Sequence, residues 1–333
     1  MQRQITVAGR ETVFPCGESE TVLDAAERAG WGLPYSCRKG VCSSCEARVV
    51  SGEVACGPGA RRENGPLDAV KLCQAVPLTD IEIDPVYITD RTPPARRRMQ
   101  AHVFRIDTPS ADVRIVHLRF PIGRRVPFQA GQYVKLLLDD DLSRNYSLAN
   151  PPRDNDAVQL HVQRLPGGYF SDRVLGGLNV GDALELEMPF GLFTLSDSDD
   201  ARTILLATGT GFAPIRSILQ DLVRRRVNRR VWLYWGARTR DEIYQFEQMQ
   251  ALDQRYDWFS FVPVLSRQSQ APACRQGYVQ SAVLEDHPDL ADYEVYACGS
   301  QTMVQAAHDR LIEDGGLDEA NFYSDVFVPA TTE

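Results

Sequence analysis

Long apolar runs are missing from this sequence of 333 residues, and so is an excess of positive charge. No segment approaches the roughly 18 consecutive apolar residues of a membrane span. The polar, alternating N-terminus also lacks the apolar core of a secretory signal. The formal net charge of −9 argues against nucleic acid as the main partner. We therefore expect a cytoplasmic protein that binds neither membranes nor nucleic acid, with a monomer as the default.

The rest of the composition is that of ordinary globular domains. Hydrophobic residues make up 43% of the chain and charged residues 24%, which is enough apolar material for a core. The length predicts two or three domains. Structural disulfides are rare in cytosolic proteins, so the 8 cysteines need another explanation.

Three of these cysteines lie in the short segment PYSCRKGVCSSC, and a fourth follows in VKLCQA. Cys37, Cys42 and Cys45 are separated by four and then two residues, and Cys73 is distant. This is the plant-type spacing of a [2Fe–2S] cluster. A zinc site more often shows two CxxC pairs, whereas Cys73 has no close mate. The spacing therefore favours an iron–sulfur cluster, with zinc as the alternative.

The other residues of this loop suit a negatively charged cluster. Backbone N–H groups must turn towards thiolates and sulfides, and Gly40 permits this because it tolerates positive φ. Ser43 and Ser44 are small. We also expect the cations of Arg38 and Lys39 to favour the thiolate forms of the cysteines.

The segments around the cysteines predict strands and one helix. QITVAG and ETVFPCG look like a hairpin, and Thr21 with Asp24 forms a capping box before an amphipathic turn. The stretch closely resembles a β-grasp ferredoxin over about residues 1–90. We place the plant-type [2Fe–2S] ferredoxin domain at 1–92. Cys16, Cys56 and Cys274 are interpreted as bystanders.

A proline- and arginine-rich stretch, RTPPARRRMQ, indicates a linker, placed at 93–99. Alternating segments follow over 100–198 and predict an antiparallel β-barrel. These segments are HVFRID, VRIVHLRF, GQYVKLLL, AVQLHVQRL and ALELEM.

Within the barrel, SRNYSLAN carries a possible binding strand. Alternation puts Arg144 and Tyr146 on one face and Ser147 on the other. Arg144 offers charge-assisted bonds to a phosphate, Tyr146 a ring for stacking, and Ser147 a hydroxyl for a heteroaromatic nitrogen. The alternative is a surface strand with a core tyrosine. Farther on, LPGGYFSDRVL predicts a helix beginning near Ser171, whose N-terminus would suit a phosphate.

From about residue 199 to 333 the pattern changes to α/β. RTILLATGTGFAPIRSILQDLV predicts a strand, a tight turn at 208–211 and a helix with Pro214 in its first turn. Pro214 stands where the dinucleotide fingerprint G-x-G-x-x-G needs its third glycine. Further buried-type strands predict a doubly wound parallel sheet with its ligand at the carboxyl ends of the strands.

The order RNYS, GGYFS, GTGFAP resembles the ferredoxin–NADP reductase superfamily over about residues 100–333. The resemblance implies that Arg144 holds the flavin pyrophosphate, Tyr146 packs against the isoalloxazine and Ser147 hydrogen-bonds near its N5. It favours FAD over FMN, because FMN-using oxygenase reductases of this family usually carry the ferredoxin at the C-terminal end. The FAD residues implied are Arg144, Asn145, Tyr146, Ser147, Gly168, Tyr169, Phe170, Ser171 and Phe327. The NAD(P)H residues implied are Thr208, Gly209, Thr210, Gly211, Pro214, Arg238, Cys298 and Gly299.

The resemblance also implies Ser147, Cys298 and Asp325 as catalytic residues. Cys298 would lie beside the contact between nicotinamide and flavin, although a free cysteine is often just a small buried hydrophobe. Two departures stand out: Ser300 replaces the usual proline after Cys-Gly, and Asp325 stands where other members carry glutamate.

The choice between NADH and NADPH is not settled by the residues after the second α/β strand. Arg238 and Arg240 would suit a 2′-phosphate, whereas Asp241 and Glu242 would suit a free ribose. We expect NADH, because the bacterial oxygenase reductases that the chain resembles mostly use it.

These parts predict a soluble electron-transfer oxidoreductase. Electrons would pass from NAD(P)H to FAD, then to the [2Fe–2S] cluster and to a partner that docks near 38–44. The partner expected from the resemblance is the oxygenase component of a bacterial multicomponent monooxygenase or dioxygenase. A close second is a reductase for CDP-sugar 3-deoxygenation, suggested by SCRKGVCSSC and FYSDVF. A flavin and iron–sulfur redox sensor without turnover is a third interpretation, and a zinc-bound scaffold is a fourth.

Overall fold

A computed structural model describes residues 2–57, 59, 61–90, 95–139, 142–198, 200–225, 229–268, 271 and 273–328. The chain divides into two compact units, Met1–Pro94 and Ala95–Glu333. Among the described residues, no helix has the length and hydropathy that crossing a membrane requires.

The first unit is a β-grasp domain with one helix, as the sequence predicts. Its main sheet has the order β2-β1-β9-β4-β7, with β1 antiparallel to β2 and parallel to β9. Two small sheets, β6-β5-β8 and β10-β3, complete it. The elements are β1 Arg3–Val7, β2 Val13–Cys16, α1 Val22–Arg28, β3 Trp31–Gly32, β4 Glu46–Ser51, β5 Glu53–Cys56, β6 Arg61–Asn64, β7 Leu67–Lys71, β8 Ala75–Pro77, β9 Ile81–Pro85 and β10 Thr89–Asp90.

Helix α1 begins where the capping residues predict. The Thr21 side chain accepts a hydrogen bond from the backbone N–H of Asp24 at 3.2 Å, which satisfies one of the free donors of the first turn. The Thr21 hydroxyl also donates to the Asp24 carboxylate at 2.7 Å. Val22 and Leu23 are buried, so the cap orients the apolar face of α1 towards the core.

The second unit begins with the predicted antiparallel barrel. Its strand order is β14-β13-β16-β11-β12-β15, and a bridge between Leu148 and Leu160 joins the two ends. Alternate side chains fill the interior. The strands are β11 Arg97–Ser110, β12 Val113–Arg119, β13 Tyr133–Asp139, β14 Leu142–Ser147, β15 Ala157–Gln163 and β16 Ala183–Phe190.

Two boundaries differ from the sequence prediction. Residues 97–99 of the expected linker already belong to β11, because they pair with Met188 to Leu186 of β16. Residues 93 and 94 lie outside the described residues. The helical segment expected near Ser171 starts earlier, as a π-helical turn Tyr169–Val174 that continues into α2, Leu175–Gly177.

The rest of the second unit is the predicted doubly wound α/β layer. Within the described part of this layer, six parallel strands have the order β20-β19-β18-β17-β21-β22, and four α-helices connect them. Because all strands run the same way, their carboxyl ends share one edge. The elements are β17 Arg202–Thr208, α3 Phe212–Arg225, β18 Arg230–Ala237, α4 Phe246–Arg255, β19 Phe259–Leu265, β20 Arg275–Gln276, α5 Val279–Asp286, β21 Tyr293–Ser300, α6 Gln301–Glu313 and β22 Phe322–Phe327.

A buried hydrogen bond joins the barrel to the α/β layer. The Nδ1 atom of His161, on β15, lies 2.8 Å from the Tyr244 hydroxyl, and the two rings meet edge to face. Burial lowers the pKa of His161 well below its ordinary value. The imidazole is therefore neutral in the folded protein and becomes protonated in the unfolded chain below about pH 6.5.

We expect this histidine to make the second unit acid-sensitive. The unfolded state takes up a proton that the folded state excludes. The free energy of unfolding is therefore highest above about pH 6.5 and decreases below it by up to about 1.4 kcal/mol per pH unit. Denaturant titrations between pH 8 and 5 measure this slope. His161→Gln should flatten it, whereas His102→Gln, at an exposed strand position, should not. An unchanged slope in His161→Gln would contradict the prediction.

Candidate functional site

Cys73, which follows β7, hydrogen-bonds to Cys45 of the loop after β3, and this loop carries the other three predicted cluster cysteines, Cys37, Cys42 and Cys45. The backbone of this loop is left-handed at Arg38 (φ 54°), Gly40 (φ 74°) and Ser43 (φ 61°). This conformation turns N–H groups towards sulfur: the Lys39 N–H lies 3.2 Å from the Cys37 Sγ. A side chain at position 40 would be strained and would place its Cβ 2.8 Å from Gln74.

The four thiols form two pairs. A hydrogen bond from the Cys42 thiol, supported by backbone N–H groups of the loop, lowers the pKa of the Cys37 thiol to about 5. A hydrogen bond from the Cys45 thiol lowers the pKa of Cys73 to about 7. As donors, Cys42 and Cys45 have raised pKa values.

This pairing fits a binuclear cluster. Two thiolates for each of two irons, with backbone donors facing the sulfurs, is the ligand set that a [2Fe–2S] cluster needs. The arrangement of the thiols in two pairs therefore favours the cluster over the zinc alternative.

Arg38 contacts residues of helix α1 and the aromatic ring of Tyr35. Its guanidinium pairs with Asp24 and, at 2.9 Å, with Glu27, and it lies over the ring of Tyr35. The causes that lower the pKa of Cys37 include the Cys42 thiol and backbone N–H groups, and the expectation that Arg38 and Lys39 favour the thiolates stays a prediction. Arg38 thus fastens the loop to helix α1, and Lys39 is exposed at its surface.

The predicted flavin strand is β14, at one end of the barrel sheet. Tyr146 packs against Phe170 at 5.3 Å between ring centroids, and burial raises its pKa. Arg144 bonds through Nη1 to the Ser143 carbonyl at 2.9 Å and keeps further donors. The Phe170 side chain is buried in the barrel core, so only the backbone of this residue can contact a ligand.

Two features of this region fit a bound flavin nucleotide. The Oδ1 atom of Asn145 is buried and makes no hydrogen bond to any described residue. Buried polar atoms normally have a partner, so this atom fits an acceptor for a donor group of the nucleotide. A Cβ at Gly168 would lie 2.5 Å from the Ser171 hydroxyl and 2.9 Å from the Leu165 carbonyl. The close turn that precedes Tyr169 therefore requires glycine.

The fold brings the three expected catalytic residues together. The Ser147 hydroxyl lies 3.4 Å from Oδ2 of Asp325, a contact across 178 residues of sequence. Asp325 pairs in register with Cys298 on the neighbouring strand. Burial and the Asp325 charge raise the pKa of Cys298 well above its ordinary value, so this thiol stays neutral. Phe327 ends β22 beside Ser300.

The expected nucleotide turn lies at the carboxyl edge of the α/β sheet. Thr208 ends β17, residues Gly209–Gly211 form a 3₁₀ turn, and α3 follows with Pro214 in its first turn. A Cβ at Gly211 would overlap the Cys298 carbonyl, and one at Gly299 would overlap the Thr208 hydroxyl. Glycine is therefore needed for the turn to approach β21.

The departure at position 300 has a structural reason. The Ser300 side chain accepts a hydrogen bond from the backbone N–H of Met303 at 3.3 Å and so caps helix α6. Its own N–H donates to the Thr208 hydroxyl at 3.2 Å. A proline would supply neither bond.

The arginines after β18 are held by neighbouring acids. Arg238 pairs with Glu242 at 2.5 Å, and Glu242 also accepts the Arg238 backbone N–H at 2.9 Å. Arg240 pairs with Glu247 at 2.9 Å and lies over the Phe246 ring. Both cations are thus compensated within the protein.

Sequence reasoning missed part of this edge. Tyr278 follows β20 directly after Gly277, at the same carboxyl edge, and is 65% exposed. Arg267 is exposed just beyond β19, and its N–H donates to the Arg238 carbonyl at 3.0 Å. The glycine–aromatic pair after a strand was the available signal.

Three protein families match the chain. Residues 5–78 match the 2Fe-2S iron-sulfur cluster binding domain, residues 100–195 the oxidoreductase FAD-binding domain, and residues 205–309 the oxidoreductase NAD-binding domain. These matches give the cofactors as a [2Fe–2S] cluster, FAD and a nicotinamide nucleotide.

Relatives match along the whole length. The chain is 38% identical, over 100% of its residues and 99% of the relative, to the reductase component 1 of terephthalate 1,2-dioxygenase from a Comamonas species. It is 33% identical, over 96% of each chain, to the CDP-6-deoxy-L-threo-D-glycero-4-hexulose-3-dehydrase reductase of Yersinia pseudotuberculosis. The crystal structure of the Amycolatopsis cytochrome P450 reductase GcoB superposes with a TM-score of 0.76 at 32% identity, covering 99% of this chain and 100% of that one.

Proposed function

This chain belongs to the family of iron–sulfur flavoprotein reductases that join a [2Fe–2S] domain to FAD- and NAD-binding domains of the ferredoxin–NADP reductase type, and we propose that it delivers electrons from NADH to an oxygenase component. FAD takes two electrons together from a dihydronicotinamide and releases them singly to a [2Fe–2S] cluster. Each NADH oxidised thus reduces two one-electron acceptors and releases one proton.

The residues of this chain hold and orient the reacting groups. Cys37, Cys42, Cys45 and Cys73 bind the cluster, and the loop N–H groups stabilise its negative charge. Arg144 and the backbone after Gly168 bind the FAD phosphates. The observation that carries the proposal is the convergence of Ser147, Cys298 and Asp325. We assign these residues to the contact between flavin and nicotinamide.

The acceptor docks at the cluster loop, residues 38–44. Val41 is 49% exposed there, and Lys39 lies beside it at the surface. An apolar side chain with a neighbouring cation gives a partner both contact area and orientation. The oxygenase assignment rests on the full-length relative that is a dioxygenase reductase component. The second candidate acceptor is a CDP-hexulose dehydrase, supported by the other full-length relative.

The choice of NADH follows from the carboxylate of Glu242. It pairs with Arg238 and so withholds a cation that a 2′-phosphate would need. Tyr278 offers an exposed ring for adenine at the same edge. Arg267 supplies the opposing charge, so the two nucleotides should differ by only about one order of magnitude in kcat/KM.

Anaerobic stopped-flow absorbance tests the proposal. NADH should bleach the flavin and iron–sulfur bands about tenfold more efficiently than NADPH. Glu242→Gln should raise the relative efficiency of NADPH, whereas Glu285→Gln, at an exposed position on α5, should not.

The reduced protein is then mixed with an oxygenase component or with a CDP-hexulose dehydrase. Faster reduction by NADPH, or electron delivery to the dehydrase alone, would overturn the assignment. Reduction too slow for turnover would favour a sensor.

A further inference from the structure

A polar cavity lies on the side of the barrel that faces α3 and α4, outside the predicted cofactor sites. Its volume is about 520 Å³, within the range of small-molecule sites. Strands β11, β12 and β15 form one wall, and residues of α3 and of the segment that enters α4 form the other. None of the residues assigned to the cluster, FAD or NAD(P)H lines it.

Arg216 is the central charged group of this cavity. Its Nη1 atom donates to the Ala149 carbonyl at 2.6 Å and to the Gln159 side chain at 2.9 Å. The remaining donors, on Nε and Nη2, make no hydrogen bond to a described residue, and no described carboxylate forms an ion pair with this guanidinium. The Nε–Nη2 edge is the fork that binds a carboxylate through two parallel hydrogen bonds.

Of the described residues that line the cavity, one is a carboxylate, and it is already paired. Asp107 accepts from Arg105 Nε at 2.7 Å and lies 2.9 Å from His117 Nε2. Burial lowers the pKa of His117, which favours its neutral form. Two guanidinium groups therefore face a single carboxylate, and the excess positive charge belongs to Arg216. Pro109 and Ile115 add an apolar wall.

We propose that this cavity binds a small organic monocarboxylate, whose carboxylate pairs with the Nε–Nη2 edge of Arg216 and whose apolar body lies against Pro109 and Ile115. A single negative charge matches the single uncompensated cation, which disfavours a phosphate dianion. The amide groups of Gln159, Gln245 and Gln248 and the Tyr244 hydroxyl provide further polar contacts around the ligand.

The position of the cavity gives the ligand a structural effect. Arg216 is on α3, which begins directly after the nucleotide turn at Gly211, and Tyr244 holds the barrel through His161. A ligand that touches both walls stabilises the packing of the barrel against the α/β layer. It therefore raises the thermal midpoint of this unit.

Calorimetric titration of the holoenzyme with benzoate, beside benzamide as its neutral analogue, tests the site. Benzoate should bind and raise the thermal midpoint, whereas benzamide should not. Arg216→Gln keeps a donor for the Ala149 carbonyl and should weaken benzoate binding about 10- to 100-fold. Arg224→Gln, on the same helix and outside the cavity lining, should leave binding unchanged.

A second variant covers the case in which Arg216→Gln fails to fold. Gln248→Trp fills the cavity from an exposed position of α4 and should also abolish benzoate binding, whereas Gln254→Trp on the same helix should not. Equal binding of benzamide, an equal effect of phosphate at matched ionic strength, or benzoate binding that survives both cavity variants would overturn the proposal. So would a benzoate-induced change in the flavin spectrum that persists in Gln248→Trp.

Discussion

Cys37→Ser and Cys73→Ser should each abolish electron transfer to protein acceptors while leaving reduction of the flavin by NADH intact. Each substitution takes one thiolate from a different pair of the four predicted cluster cysteines, and a serine oxygen is a poor replacement for a soft iron ligand. We expect cytochrome c reduction to fall by about 100-fold or more and ferricyanide reduction to stay within about twofold. The FAD- and nucleotide-binding unit, Ala95–Glu333, does not include the loop.

Iron and flavin analysis provides the internal check on this result. The variants should lose iron and keep about one FAD per chain, so the two activities separate within one preparation. Cys56→Ser and Cys274→Ser replace half-buried cysteines outside the loop and should keep both iron and activity. A zinc-bound loop would give the opposite outcome: the parent protein would lack iron–sulfur bands, and cytochrome c reduction would not depend on Cys37.

The features that the sequence predicts well are those encoded over short distances. Cysteine spacing, period-two alternation and the Thr21–Asp24 cap each act within one loop, strand or turn, so local residue types suffice to identify them. The parallel sheet follows in the same way from buried strands alternating with helices.

The interactions that the sequence does not predict depend on residues far apart in the chain. The sequence predicts that Arg38 favours the thiolates, and only the fold shows that helix α1 also supplies two carboxylates that pair with it. Arg238 and Glu242 are both visible in the sequence, yet only the fold shows that they neutralise each other. Ser147 lies in the barrel part of the sequence and Asp325 in the α/β part, so local residue patterns do not predict their contact. Only the resemblance to a known family assigns both residues to one site. Tyr278 was missed because exposure, not residue type, distinguishes it from a core tyrosine.

Ser147→Ala should slow the reduction of bound FAD by NADH by about 100-fold, because it removes a positioned hydroxyl from the proposed reacting centre. The Ser147 hydroxyl lies on β14 and is oriented by the Asp325 carboxylate at 3.4 Å. FAD content and the apparent Kd for NADH should stay within about twofold, since Arg144, Gly168 and the nucleotide turn are untouched. Stopped-flow absorbance under anaerobic conditions gives the rate and the apparent Kd separately. Ser143→Ala on the same strand is the matched control.

Asp325→Asn should show whether the two groups act as a unit. If the carboxylate works by orienting the Ser147 hydroxyl, the asparagine variant should lose a similar factor, and the double variant should lose little more than either single variant. Multiplicative losses would mean that Asp325 acts on the nicotinamide independently of Ser147. An unchanged rate in Ser147→Ala would remove the hydroxyl from the mechanism and leave Asp325 and Cys298 as the two remaining candidates at this site.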